Sequence, residues 1–250
     1  MTKSIAIIPA RGGSQRVPRK NIRDFCGMPM IQYPIRALVE SELFEEIVVT
    51  TDSPEIASVA RLNGVRKVVD RPPSLSGSSV ATIDVIAHAI NELSIDSLDL
   101  VCCVYATNPF LTPSLLQFSH HVAVSVQEAI YVTPVVPYGF PIQRSLTFDG
   151  TYFTMADNKH LYSHSQNLDP RFHETAQFWW ARASTWLGRH PMQGQILGIL
   201  VPEWFQQDID TDEDWHYAEL KFRVLQHNSS FALTTERLSL LNPHLNPKIE

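Results

Sequence analysis

Residues 4–21 read SIAIIPARGGSQRVPRKN, and the interpretation of this stretch decides the fold. It opens as a short apolar run, Ile5-Ala6-Ile7-Ile8, of the kind that forms a strand buried on both faces. The chain then turns polar and basic at once. Gly12, Gly13 and Ser14 let the backbone approach a ligand closely. Arg11, Arg16, Arg19, Lys20 and Arg23 surround that loop, and no carboxylate precedes Asp24. Free N–H groups and fixed positive charge just after a buried strand both favour an anion, so the stretch predicts a phosphate-binding loop. The plain alternative is a solvated basic loop. Neither G-x-x-x-x-G-K-[ST] nor G-x-G-x-x-G is present, so the loop is not a P-loop or a dinucleotide fingerprint.

Downstream, apolar periodicity predicts a helix over 30–42, a strand at 47–50, a helix opening at Asp52-Ser53-Pro54-Glu55 and a strand at 67–69. A Pro/Ser/Gly loop over 71–79, a helix through Ile83 to Leu93 and a strand at 100–104 follow. Strands alternating with helices predict an α/β fold: three layers, α/β/α and Rossmann-like, around a mostly parallel sheet. Ligands in such sheets lie beyond the carboxyl ends of the strands, which brings the basic loop, Arg71 and the turn after Tyr105 to one crevice. Between about 128 and 182 the rhythm changes. Strands at 130–133 and 145–148, a Pro-rich link and the Asp149-Gly150 turn predict an antiparallel arm over 128–176 that packs on a second subunit. Gln177-Phe178-Trp179-Trp180 and 196–201 return to the sheet. The chain is one domain over 1–227, with a peripheral tail over 228–250.

Near the end of that domain stands Gln207-Asp208-Ile209-Asp210-Thr211, before a helix carrying Trp215, Ala218, Phe222 and Leu225. In an extended segment Asp208 and Asp210 share a face, and two adjacent carboxylates call for a cation; Mg²⁺ with nucleotide phosphates is the usual answer. Asp212, Glu213 and Asp214 are explained by the helix dipole after a Thr211 cap.

Composition narrows the partners. With 250 residues, 44% hydrophobic and 18% charged, the chain is an ordinary globule, and a net charge of −6 argues against a nucleic-acid binder. Cys26, Cys102 and Cys103 form no disulfide framework, and neither a signal-peptide apolar region nor a run of about 18 apolar residues is present, so the expectation is a cytoplasmic protein without a membrane anchor. His160 with His164, and the adjacent His120 and His121, lack a third ligand for zinc. No G-x-S-x-G supports hydrolysis. A basic phosphate loop with a carboxylate pair, but without a P-loop, points to nucleotidyl transfer.

At this point the sequence resembles a known family. IPARGGSQRVPRKN looks like the signature of the CMP-sugar-acid synthetases (acylneuraminate cytidylyltransferases), and the likeness runs over 4–226. CCVYATNPF, FPIQRSL and HETAQFWW are closest to the branch acting on pseudaminic acid. The resemblance implies that CTP and a nonulosonic sugar acid give a CMP-sugar and pyrophosphate, with Mg²⁺, on a homodimer whose arm completes its neighbour's sugar site. It assigns Arg11, Ser14, Arg16 and Lys20, with Gly12, Gly13 and Gln15, to the triphosphate, and Asn21 and Arg71 to the cytosine side. It assigns Asp208 and Asp210 to the metal, and makes Arg11, Arg16, Lys20 and Asp210 the catalytic set. Tyr105, Gln143, Arg144, His164, Gln166, His173, Gln177 and Phe178 fall on segments expected to form the sugar pocket. Gln15 stands where the family usually has lysine, His164 where it has arginine, and Glu174 and Ala176 where it has Asp and Gly. A sister enzyme for another sugar acid (legionaminic, N-acetylneuraminic or 3-deoxy-manno-octulosonic) and a non-catalytic nucleotide-binding homologue are the alternatives.

Overall fold

The apolar run after Lys3 forms β1 (Ser4–Pro9), whose side chains part by alternation: Ala6 and Ile8 enter one core, Ile5 and Ile7 another. The computed structural model describes residues 2–125, 131–192 and 194–245. A small hairpin, β2 (Asp24–Phe25) and β3 (Met28–Pro29), leads into α1 (Gln32–Ser41), where Pro34 falls in the first turn and interrupts no ladder bond. Next come β4 (Glu46–Thr51) and α2 (Pro54–Leu62), whose start is fixed by the Ser53 hydroxyl accepting from Ile56 N–H. Then β5 (Lys67–Asp70), α3 (Thr82–Glu92) and β6 (Leu100–Val104) follow, and β1, β4, β5 and β6 are parallel.

The order β6-β1-β4-β5 decides where the layers lie. From β1 the chain steps outward to β4 and β5 with α1 and α2 on the first face. It then returns across the sheet to β6 with α3 on the second. Keeping one crossover hand forces that change of face, and the strand order reverses between β1 and β6.

The second half completes the sheet. It contains α4 (Pro113–Ser125), β7 (Tyr131–Pro137), the hairpin β8 (Leu146–Phe148) and β9 (Phe153–Met155), then β10 (Phe172–Glu174) and β11 (Phe178–Arg182). After these come α5 (Ala183–Leu187), β12 (Ile196–Leu200), α6 (Asp212–His227) and α7 (Thr235–Leu241). Antiparallel β11 lies against β6, β7 pairs with both β10 and β11, and β12 runs parallel to β7.

Three sequence expectations change. α4 is a helix that the sequence expectations above do not include, although Thr112 accepts from Leu115 N–H and Pro113 opens the helix, a legible start signal. β7 belongs to the central sheet, so the antiparallel excursion spans 138–171 rather than 128–176; residues 128–130 lie outside the described residues. Its Asp149-Gly150 turn is present, with Gly150 at φ +101° and Asp149 Oδ1 accepting from Thr151 and Tyr152 N–H. Nor is the segment after 228 peripheral. Leu233 and Leu238 enter the first core, and the buried Asn242 amide both donates to and accepts from the Leu200 backbone, at 3.0 and 2.7 Å, on the β12 edge. An edge strand leaves such groups open, and this amide satisfies one pair. Residues 246–250 lie outside the described residues.

Candidate active site

A cavity of about 240 Å³ opens at the carboxyl ends of β1, β5 and β6, beside the strand-order reversal. Arg11, Ser14, Gln15, Arg16 and Lys20 of the loop after β1 form one wall. Asn21, Arg71 and Tyr105 form another. The loop is held by its own polar groups: Asn21 Nδ2 donates to Arg11 O at 2.8 Å, and Gly12 N–H donates to Asp52 Oδ1 at 2.7 Å. Gly12 stands beside the cavity rather than in its wall, pressed to the start of α2, where a Cβ would meet Ser53 Cβ at 3.0 Å. Gly13 is exposed and also outside the wall.

Not every cation of the loop faces the cavity. Arg19 pairs with Glu55. Arg23 pairs with Asp212 at 2.5 Å and lies over the Trp215 ring at 4.5 Å, joining the loop to α6. Arg11, Arg16 and Lys20 remain. Arg16 Nη1 contacts Asp210 Oδ2 at 2.6 Å, while Lys20 Nζ donates to Ile209 O and stands 3.7 Å from Asp210 Oδ1. Burial pushes the Lys20 pKa down, against the pull of Asp210 and Asp208. Arg71 is 7% exposed; its Nη2 donates to Thr50 O at 2.7 Å, its Nε–H has no acceptor among the described residues, and burial lowers its pKa. A buried cation with a spare donor suits a ligand that supplies acceptors.

Asp208 and Asp210 flank Ile209, which is wholly buried in a third core with Phe25 and Trp215. That anchor turns both carboxylates to the cavity side, as the extended pattern predicts. Asp210 borders the first cavity and also a second, of about 480 Å³, lined by Asp208, Asp214, Tyr138, His173 and Glu174. Desolvation and then Asp210 raise the Asp208 pKa. Among the described residues no cluster of three His, Cys, Asp or Glu could hold a metal unaided. Two hard carboxylate donors nevertheless fit a cation that draws its other ligands from phosphate and water.

Asp214 is the residue that sequence reasoning undervalued. Its Oδ2 accepts from Asp210 N–H at 3.1 Å, from Thr211 N–H at 2.8 Å and from the Thr211 hydroxyl at 2.8 Å. The capping box seen as Thr211-x-x-Asp214 thus also fixes the Asp210 backbone.

The expected sugar residues divide. Tyr105 and His173 line cavities, and burial pushes the Tyr105 phenol pKa up. Gln177 is buried and donates to Phe205 O, and Phe178 is wholly buried in the first core, and neither lines the two cavities described above; alternation on β11 turns Phe178 inward. Gln143 donates to Asp169 O within the excursion. Arg144, His164 and Gln166 also lie there and line none of these cavities. Ala176 sits between β10 and β11 at φ +52°, a left-handed conformation that favours glycine.

Residues 5–184 match the family model described as Cytidylyltransferase. The chain belongs to the cytidylyltransferase family. It is therefore a nucleotidyltransferase enzyme. Pseudaminic acid cytidylyltransferase of Campylobacter jejuni subsp. jejuni is 34% identical to this cytidylyltransferase over 233 residues, 92% of this chain and 100% of that protein. N-acylneuraminate cytidylyltransferase B of Danio rerio is 29% identical, covering 86% of this chain and 50% of the relative. Among solved structures, CMP:2-keto-3-deoxy-manno-octonic acid synthetase complexed with CTP matches the cytidylyltransferase with a TM-score of 0.65 at 14% identity, over 91% of this chain and 100% of that one. That likeness shows the fold.

Proposed function

We propose that this enzyme transfers the cytidylyl group of CTP to the anomeric hydroxyl of a nonulosonic acid, pseudaminic acid first, releasing pyrophosphate with Mg²⁺ as the cation. One observation supports this above the others: Asp210 borders both the cation-lined cavity and the acidic one. A nucleotide in the first and a sugar acid in the second would meet at that residue. The full-length likeness to a pseudaminic acid cytidylyltransferase supports the choice of acid.

Arg11, Arg16 and Lys20, with Ser14 and Gln15, take the triphosphate. Asn21 and Arg71 take the cytosine side, where the unpaired Arg71 Nε–H finds an acceptor. Cytidylyltransferases generally use a divalent metal, and here Asp208 and Asp210 would hold it. When bound, the cation neutralises charge on the reacting phosphates. His173 is the base this reading adds. Its Nδ1 lies 2.9 Å from Glu174 O, and because a carbonyl only accepts, Nδ1 carries the hydrogen. In the neutral ring Nε2 carries the lone pair, and it would take the anomeric proton while the sugar oxygen attacks the α-phosphorus in line.

Among the described residues no arginine or lysine stands in the wall of the acidic cavity, yet the sugar carries a carboxylate. The excursion over 138–171 exposes Phe140, Phe148, Phe153 and Tyr162, at 64, 58, 67 and 93%. In this reading those apolar side chains pack on a second copy and bring Gln143, Arg144, His164 and Gln166 to its sugar site. No helix among the described residues is long and apolar enough to cross a membrane. With a net charge of −6 against nucleic acid, the reading places the enzyme in the cytoplasm beside its CTP.

The test is pyrophosphate release from CTP and Mg²⁺ with pseudaminic, legionaminic, N-acetylneuraminic and 3-deoxy-manno-octulosonic acids. Release with pseudaminic acid is expected. Release only with another acid moves the specificity, and CTP binding without release from any acid refutes the reading.

A further inference from the structure

Three polar contacts tie the loop after β1 to the segment that carries the carboxylate pair. Arg16 meets Asp210 at 2.6 Å, Lys20 meets Ile209 O and Asp210, and Arg23 meets Asp212 at 2.5 Å while lying over the Trp215 ring. The first two depend on Arg16, Lys20 and Asp210, which line the nucleotide cavity, so a bound triphosphate and its cation would take them apart. Neither Arg23 nor Asp212 lines the two cavities described above. The third contact is also firmly mounted. Arg23 N–H donates to Arg19 O at 2.9 Å and Arg23 O accepts from Met30 N–H at 3.0 Å, which fixes the backbone under the guanidinium. Trp215 is 1% exposed, packs edge-to-face with Phe25 at 5.4 Å and donates its indole N–H to Glu219 at 3.1 Å. A guanidinium stacked on a fixed aromatic face and paired with a carboxylate is held in one orientation.

We infer that Arg23 is a positioning residue, whose contact with Asp212 and Trp215 holds the carboxylate pair beside the triphosphate loop once ligands have dissolved the other two contacts. Asp212 is two residues from Asp210, and Thr211 between them is locked by Asp214, so a shift of Asp212 carries Asp210 with it. Val17 of the loop and Ile209 also share the third core, but apolar packing is non-directional and does not by itself aim a carboxylate. In the free enzyme Arg16 and Lys20 duplicate the tie, and Arg23 matters little. With CTP and Mg²⁺ both bound, Arg23 supplies the tie that survives.

The inference rests on the CTP and Mg²⁺ reading above. Its test is the coupling between the two, the ratio of CTP dissociation constants without and with saturating Mg²⁺, measured by titration calorimetry. Arg23→Gln is expected to leave CTP affinity without Mg²⁺ within about twofold and to lower the coupling about fivefold, the effect of one part-exposed ion pair with a stacked guanidinium. Asp212→Ala breaks the same contact by removing the opposite charge, and should lower the coupling by a similar factor. The double variant should add less than about twofold to either, because both changes remove one interaction. Melting temperatures within about 2–4 °C of wild type check that the variants are folded. Equal loss of CTP affinity with and without Mg²⁺, an unchanged coupling, or opposite shifts in the two single variants, as a plain charge effect would give, overturns the positioning role while leaving cytidylyl transfer intact. Wild-type enzyme whose CTP affinity ignores Mg²⁺ overturns the metal reading, and the positioning role with it.

Discussion

Asp210→Asn separates the roles assigned to one carboxylate. In the free protein Asp210 is gripped by Arg16 at 2.6 Å and approached by Lys20 at 3.7 Å, while it raises the pKa of Asp208. The Arg16 side chain is 68% exposed, so that pair stabilises the fold by about 0.2–1 kcal/mol. Relief of Asp208 offsets part of this. The melting temperature should therefore move by no more than about 2–4 °C. Nucleotide binding should change in opposite directions with and without metal. Without Mg²⁺, Asp210 competes with the triphosphate for Arg16 and Lys20, and its neutralisation frees both cations; CTP should bind up to about fivefold tighter. With Mg²⁺ the same variant loses one of two protein ligands, so CTP binds more weakly and pyrophosphate release falls by at least about 100-fold. Titration calorimetry with and without Mg²⁺, beside a steady-state pyrophosphate assay, reads all three. Turnover within threefold of wild type (about 0.7 kcal/mol) would refute the metal assignment. Weaker CTP binding without metal would refute the competition argument.

The other predictions are briefer. Asp208 binds its proton more tightly in the native state than in the unfolded chain, so its ionisation lowers stability as pH rises through its raised pKa; Asp208→Asn should melt above wild type near about pH 8, with the gap closing toward about pH 4, and the opposite trend would contradict the shift. His173→Asn should lower kcat by about 10²–10⁴-fold with little change in the KM for the sugar acid, and an effect confined to KM would mean that His173 grips substrate rather than moving a proton. Ala176→Gly should remove left-handed strain and gain about 1 kcal/mol, seen as a melting point higher by about 2–4 °C; a loss would show that the Ala176 methyl matters more than its φ.

Much of this enzyme is legible in its amino-acid sequence. The buried strand at 5–8, the βα alternation through β6 and the two carboxylates sharing a face all follow from local rules: apolar period, proline and glycine placement, and the two-residue repeat of an extended chain. Those rules also carried Arg11, Arg16, Lys20, Arg71 and Tyr105 to one crevice, because strand ends in a parallel sheet converge whatever their side chains. Local pattern could not say which cations of the basic loop face the cavity. Arg19 and Arg23 look like Arg16 in sequence, and only the approach of Glu55 from α2 and of Asp212 with Trp215 from α6 removes them from the cavity. The same holds for the aromatic run on β11. Its alternation is plain, but which parity faces the core and which borders a cavity depends on α4 and on the loop after α5, so Phe178 is interior and Trp179 is left with an unpaired donor. The C-terminal segment makes the point a third time. Polar and proline-punctuated, it carries no strong period, yet Asn242 meets the β12 edge because a sheet edge leaves backbone groups that some long-range partner must satisfy. Sequence determined the elements and the chemistry they bring; contacts between residues distant in the chain decided which of those groups are consumed by the fold and which remain for a ligand.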